Sequence, residues 1–187
     1  MKFLLPLLIF YCAISCKAQN LPALYGNHSL TAGVLINNGG RGIGLRYELL
    51  FSGNHKWALV LPVAICSKKV DVHVSPGGAS MGIHEETVYP KMYFFSPGIR
   101  FYPTTSRGVS KYAIGVSAMI GIGKGARERY TNPDDHLYSK TITGLLLTQS
   151  IHLHFTPHIP FSIELDMGYG SEDIPLGQLG VNIGYRW

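Results

Sequence analysis

Several short tracts in this chain hold the residue types that chemistry uses. Asn132-Pro133-Asp134-Asp135-His136 offers two carboxylates and an imidazole to a metal ion. Asn-Pro-Asp is equally a turn composition, its Asx side chains bonding the nearby backbone, and no second cluster completes a coordination shell. The turn is the expected reading. His152 and His154 are i,i+2 neighbours, a spacing that two ligands on one strand face can use, but lining a polar interior asks less of them. His73 and His84 stand alone. A lipid-modifying mechanism needs a Ser or Thr nucleophile beside a His base, and the nearest pair, His28-Ser29, points to opposite faces of an extended chain. Gly121-Ile122-Gly123-Lys124-Gly125-Ala126 fits the loose dinucleotide pattern, yet no helical period follows it and no Ser or Thr follows Lys124. No catalytic residue, metal ligand or cofactor is expected, and the chain is not read as an enzyme.

The remaining titratable residues make sense only on the elements that carry them. Leu179-Gly180-Val181-Asn182-Ile183-Gly184-Tyr185-Arg186-Trp187 alternates large apolar residues with Gly or polar ones. That is a strand with one greasy and one wet face. The same period predicts strands at 28–36, 41–51, 56–66, 91–102, 111–122, 142–155, 161–170 and 177–187. Each supplies the ~9–11 residues that cross a membrane as a tilted strand. The connections at 52–56, 103–110 and 156–160 are short, and those at 67–90 and 123–141 are long. Short turns on one side and long loops on the other is the pattern of an antiparallel transmembrane barrel. The fold class is all-β: an eight-stranded antiparallel transmembrane β-barrel with two long extracellular loops. Pro62 and Pro97 interrupt the strand pattern and are expected at bulges.

Face assignment separates lipid from lumen. None of the outward residues read here, such as Ile43, Leu45, Val63, Ile99, Val116, Leu147, Ile163 and Val181, is charged, giving a charge-free face on seven of the eight strands, as hydrocarbon contact requires. The first strand fits less sharply, with Leu30, Ala32, Val34 and Ile36 outward. Phe51, Trp57, Phe101, Tyr112, Phe155, Phe161 and Trp187 fall near the short turns or the terminus and form an expected inner aromatic ring. The inward face collects Arg46, Arg100 and Arg186 with Glu48, Glu164 and Asp166. An eight-stranded interior is only wide enough for side chains. These six are therefore expected to neutralise one another as a structural plug. The loops hold Lys68 and Lys69, extended Val70, Val72 and Val74, and a basic group of Lys124, Arg127, Arg129 and Lys140 beside Tyr130 and Tyr138. The valines continue strand three above the membrane, and the basic group suits lipopolysaccharide phosphates or a surface partner.

Residues 1–18 have the form of an export signal: Lys2, an apolar run of 11 residues from Phe3 to Ala13, and small residues at Cys16 and Ala18 before a cut at Gln19. The run is shorter than the ~20 residues of a membrane helix. Ala13-Ile14-Ser15-Cys16 also partly fits a lipobox, so lipidation of Cys16 is the alternative. The barrel domain is then 19–187, with Cys66 its one cysteine and 14 basic residues against 11 acidic ones. That balance is too small for a nucleic-acid partner. The charged fraction of 14%, against about 25% in soluble domains, says that something other than water faces the surface.

Ser96-Pro97-Gly98-Ile99-Arg100-Phe101-Tyr102, the Lys17-Ala18-Gln19 signal end and the Gly184-Tyr185-Arg186-Trp187 terminus resemble the small outer-membrane β-barrel proteins of the Bacteroidota, porin-like or OmpA/OmpW-like. The resemblance implies a monomer in the bacterial outer membrane, contacting outer-membrane lipid and lipopolysaccharide. It implies delivery by the barrel assembly machinery through the C-terminal strand, where Asn182 stands in the slot that is usually Gly. The expected role is structural or surface-interacting. The alternatives are a narrow porin for small or hydrophobic solutes and a soluble periplasmic lipid-binding barrel.

Overall fold

The computed structural model describes residues 27–37, 40–51, 56–74, 84–103, 110–126, 129–130, 137–156, 158–171 and 175–187. The export signal, Cys16, Gln19 and the 132–136 tract lie outside the described residues. Alternating residues that cannot satisfy a helical stripe satisfy a pleated sheet instead, and twelve strands form: β1 His28–Asn37, β2 Gly40–Leu50, β3 Trp57–Ser67, β4 Val70–Val74, β5 His84–Val88, β6 Lys91–Phe95, β7 Gly98–Phe101, β8 Ser110–Ala126, β9 Arg129–Tyr130, β10 Leu137–Thr156, β11 Ile159–Gly170 and β12 Pro175–Arg186. The first sheet runs β12-β1-β2-β3, then β6 and β7 end to end, then β8, β10 and β11 back to β12. Every pairing in it is antiparallel. This is a closed eight-stranded antiparallel β-barrel, in which no staple strand is left with an open edge.

The prolines make no bulge. β6 and β7 keep one register against both neighbours: Trp57 faces Phe101 and Val63 faces Phe95, while Ile99 faces Val116 and Phe95 faces Ile120. Ser96 donates to the Pro62 carbonyl at 3.1 Å and Ala118 to that of Pro97 at 3.0 Å. Neither proline can return the reciprocal bond. The ladder thus skips two bonds at Ser96-Pro97 without slipping. The bulge that does occur is in β10, between His154 and Thr156.

Above the barrel, β4 and β5 form a hairpin, and β9 joins β4 in parallel through His73–Arg129 and Val74–Tyr130. Residues 70–74 therefore do not prolong strand three: Val72 is fully buried with Val88 against Val70 and Ala126 in a small surface core of its own. The fifth connection is shorter than its apolar pattern suggests. β8 and β10 stay paired from Leu153–Ser110 up to Leu137–Ala126, well past the other strands.

The faces are the inverse of a soluble protein. Ile43 and Leu145 are each 65% exposed, while Glu48 is 3% and Arg100 2% exposed. The outward residues of β1 are as exposed as those of its neighbours. Within the barrel wall the exposed charged side chains described are Arg41, Lys91 and Lys124, all at the end that carries the long loops. An apolar band this continuous is not tolerated in water. Val116, 59% exposed midway along β8, makes the test: Val116→Arg should cost about 2–4 kcal/mol of barrel stability in lipid. Refolding into vesicles under urea would reveal it, and parent-like refolding of the variant would show that this face does not meet lipid.

Candidate functional site

The interior is layered. Alternation turns Arg46 and Glu48 of β2, Arg100 of β7 and Glu164 of β11 inward at similar heights, each at least nine-tenths buried. Glu164 bridges two guanidiniums, its Oε2 ion-paired with Arg46 Nη1 and its Oε1 accepting from Arg100 Nη2 at 2.7 Å. Arg100 Nη1 also lies 3.6 Å from Glu48 Oε2. Tyr102, just past β7, donates its hydroxyl to Glu48 Oε1. The bridge ties three staves of the barrel together across the lumen.

His152 completes this layer. Its Nε2 lies 3.2 Å from Arg100 Nη1 and 3.0 Å from Ser150 Oγ. A guanidinium only donates, so Nε2 is the acceptor there. Ser150 and His152 are at nucleophile–base distance, but the lone pair a base would use is held by Arg100. The pair is also sealed at 1% and 3% exposure. Among the described residues no group of three or more His, Cys, Asp or Glu side chains is placed to hold a metal.

Two of the six inward charges stand apart from the bridge. Asp166 hydrogen-bonds Thr148, leaves its Oδ1 without a partner among the described residues, and lines a polar cavity of about 40 Å³ with Gln178, Ser96 and Ser117. That is room for a water. Arg186 lies toward the turn end, and its Nε and Nη1 have no partner among the described residues. Lys111 is 8% exposed there, its Nζ 5.9 Å from the Tyr102 ring centre, and His154 is buried with both ring nitrogens unpartnered. Tyr102 and Lys111 are not among the six charges singled out, although the predicted strands 91–102 and 111–122 include both and parity places both inward at the turn end.

Toward the loop end the lumen changes character. Leu35, Cys66, Phe94, Met119 and Leu146 form a buried apolar layer, with Ala64, Met92, Ile142 and Leu176 against it. The expected inward face was polar throughout; the upper third is hydrocarbon. Alternation sets which face a residue takes but leaves its chemistry free wherever no water enters.

The predicted aromatic ring lies at the turn end. Phe51, Trp57 and Trp187 are 44%, 46% and 50% exposed, and Phe101, Tyr112 and Phe161 are half-buried. The Phe155 side chain lies outside the described residues. Trp57 and Phe101 rings are 4.7 Å apart. Tyr185 stacks on Trp187 and His158, and His28 stacks on Trp187 while its Nδ1 meets the Tyr47 hydroxyl at 2.6 Å.

Comparison with protein-family models gives no match, and neither does comparison with curated proteins. Solved structures do match. The attachment invasion locus protein Ail of Yersinia pestis aligns at 17% identity over 87% of this chain and 99% of its own, with a TM-score of 0.54. Ail has also been solved with the heparin analogue sucrose octasulfate. The N-terminal β-barrel domain of Pseudomonas aeruginosa OprF aligns at 12% identity over 86% of this chain and 97% of its own, with a TM-score of 0.58. The likeness is one of fold, and it is to barrels of this size.

Removing the bridge should show its weight. Glu164→Ala strands two buried guanidiniums and is expected to cost about 3–5 kcal/mol. Asp166→Asn, outside the ion pairs, should cost markedly less. Urea unfolding of the refolded barrel in detergent ranks the two, and equal losses would mean that the bridge carries no special load.

Proposed function

We propose that this protein is an outer-membrane β-barrel with a closed lumen, whose role is structural or surface-interacting. The single observation that carries the reading is the inversion of faces: apolar side chains outward on all eight staves, and an ion-pair layer filling the inside. A soluble lipid-binding barrel would need the reverse arrangement. The likeness to Ail and to the OprF barrel supports an outer-membrane setting; neither bears on the narrower resemblance to Bacteroidota proteins. The turn end, with its aromatic belt, would face the periplasm, and the loop end would face outward.

The surface role rests on the loop end. Arg41, Lys68, Lys69, Lys91 and Lys124 are exposed there, and Lys69 already pairs with Asp71. Phosphates of lipopolysaccharide lie at that height in an outer leaflet and are the first contact this set would meet. Catalysis is disfavoured because the Ser150–His152 pair is sealed and its acceptor nitrogen is occupied by Arg100. Export by a signal at 1–18, delivery through the C-terminal strand and a monomeric state complete the proposal.

Planar-bilayer recording tests the closed lumen. The parent should show no steady conductance, and Glu164→Ala at most small leaks. A steady, ion-selective parent conductance abolished by Glu164→Ala would favour the narrow porin.

A further inference from the structure

The loop end holds a second, separate cavity of about 250 Å³. Its floor is apolar: Phe94, Met92, Ile142 and Leu176. Phe94 also walls the small polar cavity below, so one ring divides the hydrocarbon pocket from the water-sized chamber over the ion pairs. Glycines make the room. A Cβ on Gly125 would sit 2.5 Å from the Tyr138 ring, and one on Gly123 would strike the Lys91 carbonyl and sit 2.8 Å from Met92 Sδ. Because Gly125 carries no side chain, the Tyr138 ring lies against its backbone in the cavity wall.

The rim has the opposite chemistry. Lys68, at the turn after β3, and Lys140, on an inward position of β10, both line the cavity, and Lys124 borders it. No carboxylate lines it among the described residues, and none pairs with these lysines. Ammonium groups gathered at one opening repel one another until an anion joins them. Hydrocarbon below, and above it cations without a carboxylate partner among the described residues, is the outline of an amphiphile. At just under the ~300–1,000 Å³ of drug-sized sites, the cavity takes a short segment of chain and not a folded partner.

We propose that this pocket binds a single acyl chain with an anionic head, the chain on Phe94 and Met92 and the head at Lys68 and Lys140. Such a molecule is either a phosphate-headed lipid or a fatty acid. The proposal goes beyond the closed barrel: a conducting parent would overturn that reading and leave the pocket standing.

The test uses the refolded full barrel in zwitterionic nanodiscs with carbon-13 methyl methionine. Met92 reports the pocket, and Met167, 37% exposed on the lipid side, reports bilayer partitioning. Octyl phosphate or octanoate should shift the Met92 methyl saturably at concentrations where Met167 does not saturate. The tighter of the two identifies the head as phosphate or carboxylate. The double variant Lys68→Gln/Lys140→Gln should weaken that binding roughly tenfold, with unchanged heat-modifiable mobility showing that it folds. Neutral octyl glucoside provides a control that needs no variant. If it shifts Met92 as strongly as octyl phosphate, or if no probe moves Met92, the proposal is wrong.

Discussion

Glu164 forms ion pairs with two arginines at once, Arg46 of β2 and Arg100 of β7, and the interior is organised around that bridge. Charges this deep cost several kcal/mol each unless paired with good geometry. Pairing them fixes the heights of three staves, because alternation allows each residue only one face and one level. Glu48 and His152 then meet the Nη1 of Arg100, and Tyr102 donates its hydroxyl to Glu48. The surface follows from the same constraint. With the charges spent inside, the outside is left apolar, and a barrel of this kind is stable only where hydrocarbon replaces water.

Closure divides the lumen unevenly. Below the bridge lie Lys111, His154 and Arg186, all buried, with nitrogens of His154 and Arg186 unpartnered among the described residues. Above it stands the apolar layer around Phe94, whose ring walls both the small polar cavity and the cavity at the loop end.

The barrel was legible because a lipid-facing strand has little freedom: every second residue must be apolar, and Ile43 to Phe51 or Leu179 to Tyr185 show it without any structure. The inward assignment of Arg46, Glu48, Arg100 and Glu164 came from the same parity. Where lipid no longer dictates the outward face, the pattern fades. The upper reaches of β8 and β10 were read as loop for that reason, since Gly123 to Ala126 and Leu137 to Lys140 pair beyond the ends of the neighbouring strands. The parallel joining of β4 to β9 is two residues long and links distant parts of the chain, which no local period can announce. Parity also could not say which inward charges touch: Asp166 and Arg186 share the face of Glu164 but not its ion pairs. The prolines misled in the other direction, because a missing donor need not shift a register.

The central claim is that Val116 and its neighbours face lipid while the residues between them face a sealed interior. Nitroxide labels at Val116→Cys and, separately, Ser117→Cys in vesicles test it, read by collision with oxygen and with a water-soluble nickel chelate. The Val116 label should meet oxygen freely and the chelate hardly at all, and the Ser117 label should be shielded from both. A Val116 label open to the chelate, or a Ser117 label open to oxygen and not to the chelate, would contradict the account.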